Sequence, residues 1–112
     1  SGGGGSSTID VTTANTASNS YILSPASSGD IAYDITITEN VAFSISGSAV
    51  SGQMQRIYLQ IRQTGGFTVT LPSNVKWLNG NAPTVTTVAG QIVPIAFMTM
   101  DGGTTWLAKL GF

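Results

Sequence analysis

The chain has 112 residues with only 4 Lys/Arg and 5 Asp/Glu, a charged fraction of 8% against about 25% in an ordinary soluble domain. A net charge of −1 leaves no basic patch for nucleic acid, and without His or Cys the usual zinc, haem, iron–sulfur and copper sites, thiol nucleophiles and His-based triads are excluded. A hydrophobic fraction of 41% is enough for one core in one domain.

Residues 1–7, SGGGGSS, read as a flexible Gly/Ser linker or tag remnant and not as a signal peptide, and no apolar run is long enough for a membrane helix. A soluble chain without membrane contact is expected, with 8–112 as a single β-sandwich domain. From Thr8 onward, short runs rich in Ile, Val, Thr and aromatics alternate apolar with polar and are separated by Gly, Asn, Pro and Ser. This predicts strands over Thr8–Thr13, Ser20–Leu23, Ile31–Thr38, Val41–Ser46, Met54–Gln63, Phe67–Leu71, Pro83–Thr87, Ile92–Met100 and Thr105–Leu110. The fold class is all-β.

Alternation also assigns faces. Ile31, Tyr33, Ile35 and Ile37 point inward, as do Val41, Phe43 and Ile45, then Ile57, Leu59 and Ile61, then Phe67, Val69 and Leu71. Arg56, Tyr58, Gln60 and Arg62 share the outward face of the longest strand and make it the most polar surface in the fold. Ile92–Met100 is different, because Val93, Ile95 and Phe97 on one side and Ile92, Pro94, Ala96, Met98 and Met100 on the other are all apolar. A strand apolar on both faces is covered on both faces. A second subunit laid on Ile92, Pro94, Ala96, Met98 and Met100 is the favoured cover, and Pro94 suggests an edge or a bulge.

Asp101-Gly102-Gly103 has tight-turn chemistry and predicts a hairpin between the last two strands; one carboxylate alone is a poor cage for a hard cation, so no metal site is expected. Asn79-Gly80-Asn81 reads as another turn. Trp77 beside it is either a sugar-stacking platform or a lid on the core, the second being the commoner use of a large aromatic. Asp30 and Asp34 lie on one face of one strand about 13 Å apart, too far for the carboxyl pair of a glycosidase. No cofactor and no catalysis are expected.

The order and spacing of several pieces resemble a β module of tailed-bacteriophage virion proteins, found at the C-terminal end of tail fibres and tail spikes. The pieces are Asp34-Ile35-Thr36-Ile37-Thr38, the long strand with Gln60, Gly65-Gly66-Phe67-Thr68-Val69-Thr70-Leu71-Pro72, Val75-Lys76-Trp77, Pro83-Thr84, Ala89-Gly90, Phe97 and Asp101-Gly102-Gly103-Thr104-Thr105-Trp106. The resemblance covers about Ile31 to the end. It implies a jelly-roll-like antiparallel β-sandwich of about 8 strands, a homotrimer in the virion, in contact with other virion proteins, that builds an appendage or binds a host-surface glycan. Under that reading Arg56, Tyr58, Arg62, Trp77, Asn79 and Asn81 are the expected ligand-binding residues, since Arg holds anionic groups and aromatics stack on sugars. The alternative is a capsid decoration, head-fibre or trimerisation module with a purely structural role.

Overall fold

The computed structural model describes residues 9–112; the 1–7 stretch and Thr8 lie outside the described residues. Among the described residues there are nine strands and no helix: β1 (Asp10–Asn15), β2 (Ser20–Leu23), β3 (Ile31–Ile37), β4 (Val41–Ile45), β5 (Ser51–Gln63), β6 (Val69–Thr70), β7 (Val75–Trp77), β8 (Ile92–Asp101) and β9 (Trp106–Leu110). They form a sheet of six strands in the order β1-β3-β5-β8-β9-β7 and a sheet of three in the order β2-β4-β6. The two sheets bury their apolar rows against each other, which makes the expected all-β sandwich. Leu23, Val41 and Phe43 come from the small sheet, and Ile35, Leu59, Ile95, Phe97 and Trp106 from the large one.

The strand directions differ from the expected antiparallel pattern. β1·β3, β3·β5, β2·β4, β4·β6 and β7·β9 are parallel, and only β5·β8 and β8·β9 are antiparallel. From β1 to β6 the chain crosses to the other sheet after every strand, so each strand meets its neighbour one full coil later and runs the same way. The last two strands are joined by a tight turn and therefore oppose each other. The coil is a structural repeat without a sequence repeat.

One predicted strand fails and one strand goes unpredicted, each for a local reason. Pro83–Thr87 forms no ladder, although Val85 is buried and the Thr87 carbonyl accepts from Gly66 N–H at 2.7 Å. Val75–Trp77 is too short for period-two alternation to reveal, yet it pairs in register with Trp106–Ala108. The hairpin at Asp101–Gly103 is present: Gly102 and Gly103 have φ of 74° and 89°, and Asp101 Oδ1 accepts from Thr105 N–H at 2.8 Å and from the Thr99 hydroxyl at 3.0 Å.

The inner row of β5 is closed at each end by a buried glutamine. Gln55 donates to the carbonyls of Ala26 and Gly29, both at 3.0 Å, and accepts from Val50 N–H. Gln63 donates to Phe67 and Thr86 carbonyls at 2.8 and 3.0 Å and accepts from Gly65 N–H at 3.2 Å. Each amide satisfies loop backbone that would otherwise be buried without partners.

Candidate outer-face site

Residues directly opposite each other on neighbouring strands share a face, so the register maps the outer surface of the six-stranded sheet. One transverse row runs Val11, Ala32, Tyr58, Ala96, Lys109, and the next runs Arg56, Met98, Leu107, Lys76. Arg62 opposes Ile92 two rows away. All four cations of the chain therefore stand on this one face.

Two of them are neutralised locally. Arg56 N–H and Nε donate to Asp30 at 2.9 and 3.2 Å, and Arg62 Nε and Nη2 donate to Asp34 at 2.7 and 3.2 Å. The Arg62 hydrogen bond is the main reason the Asp34 carboxyl titrates below its ordinary range. Asp30, just ahead of β3, and Asp34, within it, are thus each the partner of an arginine. Lys76 and Lys109 have no carboxylate within ion-pair distance among the described residues.

The first row forms the floor of a trough of about 590 Å³ lined chiefly by apolar side chains, with Ile9 and Val11 at one end and Lys109 at the other. Its depth comes from the two alanines, Ala32 and Ala96, on either side of Tyr58. Gly111, at φ 93°, donates its N–H to the Pro94 carbonyl at 2.7 Å and turns the chain back over the face. Phe112 then meets Tyr58 edge to face, with centroids 5.1 Å apart and planes at 72°. The Arg56 guanidinium carbon lies 5.8 Å from the Tyr58 ring centroid, a cation–π contact that holds the phenol in place. A smaller hollow of about 280 Å³ continues past Met98 and Leu107 to the exposed Leu78.

The structure brings together some of the expected site residues and separates others. Arg56 and Tyr58 border the trough, while Arg62 stands beyond Gln60 on the same face. Trp77 is on the opposite side: it pairs with buried Ala108, and its ring lies 6.2 Å from that of Phe97 at the margin of the core. It serves as packing and does not share a surface with Tyr58. Asn79 and Asn81 are exposed in the turn that follows, where Asn79 Oδ1 accepts from Asn81 N–H at 3.3 Å.

The expected subunit-contact residues lie on the same surface as the ligand-binding ones. Tyr58 opposes Ala96, Arg56 opposes Met98 and Arg62 opposes Ile92, so the two sets are interleaved. β8 is not an edge strand, since β5 and β9 flank it. Pro94 is tolerated there because N–H and C=O of a strand residue point to the same side, and the Pro94 carbonyl points toward Gly111, away from β5. Ala96 is only 8% exposed, so the chain itself covers the middle of the doubly apolar strand, whereas Ile92 and Met100 are 47% and 60% exposed at its ends.

Lys109 and Phe112 are the trough residues that local sequence reading misses. Neither belongs to a motif, and each reaches Tyr58 only through the β5·β8·β9 register. Among the described residues no group of three or more acidic side chains could hold a metal ion. No protein-family model, no curated protein and no solved structure matches the chain.

Proposed function

We propose that the protein is a non-catalytic module of a tailed-bacteriophage tail fibre or tail spike, a homotrimer in the virion that binds a glycan on the host surface. The phage assignment rests on the motif resemblance from Ile31 onward. The binding assignment rests on one observation: an open apolar trough in which the aromatic pair Tyr58–Phe112 stands beside Arg56 and the unpaired Lys109. Shallow troughs with aromatic walls and a few charged groups suit sugar rings, whose C–H faces stack on aromatics while their polar groups reach side chains. Arg56 and Tyr58 remain the proposed ligand contacts, with Lys109 and Phe112 added.

A second reading, a capsid decoration, head-fibre or trimerisation module without a ligand, draws on the exposure of Ile92 and Met100. The readings compete for one surface, because copies that meet over Ala96 and Met98 also close the trough. Light scattering combined with a glycan array distinguishes them. A trimer that binds glycan, with binding lost in Tyr58→Ala at unchanged circular dichroism, is the expected result. A trimer that binds nothing favours the structural reading, and a monodisperse monomer overturns the trimer.

A further inference from the structure

The polar side-chain groups that line the trough are almost all donors. Asp30 engages the Arg56 backbone N–H and Nε, leaving the two terminal amino groups of that guanidinium free to face a ligand. Lys109 contributes an ammonium with three donors and no acceptor, and the Tyr58 hydroxyl is the one lining side-chain group that can both donate and accept. The rest of the lining, chiefly Val11, Ala32, Ala96 and Phe112, is apolar. A neutral sugar carries a hydroxyl donor on nearly every ring carbon, and here most of those donors would lose water without finding an acceptor, which is costly. A carboxylate only accepts.

From this donor-rich lining we infer that the trough selects an acidic sugar residue, a pyranose bearing a carboxylate. The sugar's C–H face lies against Tyr58 and its carboxylate lies between Lys109 and the free end of Arg56. The inference rests on the glycan-receptor reading and narrows it to one ligand class. The charge count of the lining side chains agrees: Asp30 offsets Arg56, which leaves the single positive charge of Lys109 to match one carboxylate. The span also agrees, because Lys109 and Tyr58 sit on strands either side of β8, about 9.5 Å apart at the backbone. One sugar ring with its carboxylate bridges that gap. Lys109 is the residue that sets acid against neutral, and Tyr58 supports either.

The test titrates the whole chain, followed by amide chemical shifts, with a glucuronate-containing tetrasaccharide and with the same tetrasaccharide after its carboxylates are reduced to alcohols. The acid form is expected to shift the amides of Tyr58, Ala96 and Lys109 and to bind at least about tenfold more tightly than the reduced form. Lys109→Gln should erase that preference, Lys109→Arg should keep it, and added salt should weaken the acid form alone. Lys109 is exposed, so both variants are expected to fold, and the amide spectrum verifies this directly. Equal binding of the two forms, or an unchanged preference in Lys109→Gln, overturns the inference. If a neutral glycan binds and Tyr58→Ala abolishes that binding, the receptor reading survives without the acid selectivity; if no glycan binds at all, both fall.

Discussion

Ile57, Leu59 and Ile61 leave one side of β5 and Arg56, Tyr58, Gln60 and Arg62 leave the other, and the two rows end in opposite conditions. The inner three are wholly buried in one core with Leu23, Val41 and Phe43 of the small sheet, and the glutamines at either end find backbone partners. No buried side-chain nitrogen or oxygen among the described residues lacks a hydrogen-bond partner. The outer face to which the second row belongs gathers every Lys and Arg of the chain, an aromatic pair, and large apolar side chains such as Met100 and Phe112, each 60% exposed. The inner face is chemically complete within one chain, whereas the outer face has donors without acceptors and apolar surface without cover. The proposed glycan-binding role would draw on this asymmetry, with rigidity on one side and unmet contacts on the other.

The largest test of the contrast is a matched pair of phenylalanines. Phe97→Ala empties a fully buried site and should cost about 4 kcal/mol in urea denaturation. Phe112→Ala removes an exposed ring that touches Tyr58 and should cost about 1 kcal/mol or less. A loss at Phe112 equal to that at Phe97 would make the outer face part of the core and break the comparison.

A smaller effect concerns acid. Hydrogen bonding from Arg62 lowers the Asp34 carboxyl, and Thr105 N–H does the same for Asp101 at the hairpin. Both titrate lower folded than unfolded, so their stabilisation is complete above the unfolded value of about 4 and is lost as pH falls through the folded values. The expected denaturation midpoint is flat from about pH 7 to 5 and declines below about 4, modestly because Asp101 is exposed and solvent reaches the half-buried Asp34 and its partner Arg62. Asp34→Asn with Asp101→Asn should flatten that decline; an unchanged decline would show that other groups carry it.

Most of the inner face could be read directly. Alternation in Ile31–Ile37, Val41–Ile45 and Ile57–Ile61 placed the right side chains inside, because the period of a strand is local and burial follows it. The Asp-Gly-Gly hairpin and the Asn79–Asn81 turn were legible for the same reason, since turn chemistry resides in two or three adjacent residues. Strand direction was not. Alternating strands with one wet face usually indicate antiparallel pairing, yet here β1, β3 and β5 are parallel with a solvated outer side. The pattern records which face is wet and carries no information about which way a neighbour runs.

The candidate site divides along the same line. Arg56 and Tyr58 were visible as an outward row of one strand, and the apolar row of β8 was visible as an anomaly. That these rows are neighbours, and hence one surface, follows only from the β5·β8 register. Trp77 drew attention as a large aromatic beside a polar loop, but β7 pairs with β9 in a register that turns its ring toward Phe97. Lys109 and Phe112 gave no signal at all, because their partners are distant in the chain.

By itself, then, the sequence determined an all-β chain, the inner apolar rows, the hairpin turn and a composition without His or Cys. Each of these depends on residue type or on spacing within a few positions. Only the tertiary structure decided the parallel coil, the merging of two separate residue sets into one surface, and the trough that Gly111 and Phe112 help to wall. Those depend on which strands become neighbours, a choice made by burial across the whole sandwich and written in no single segment.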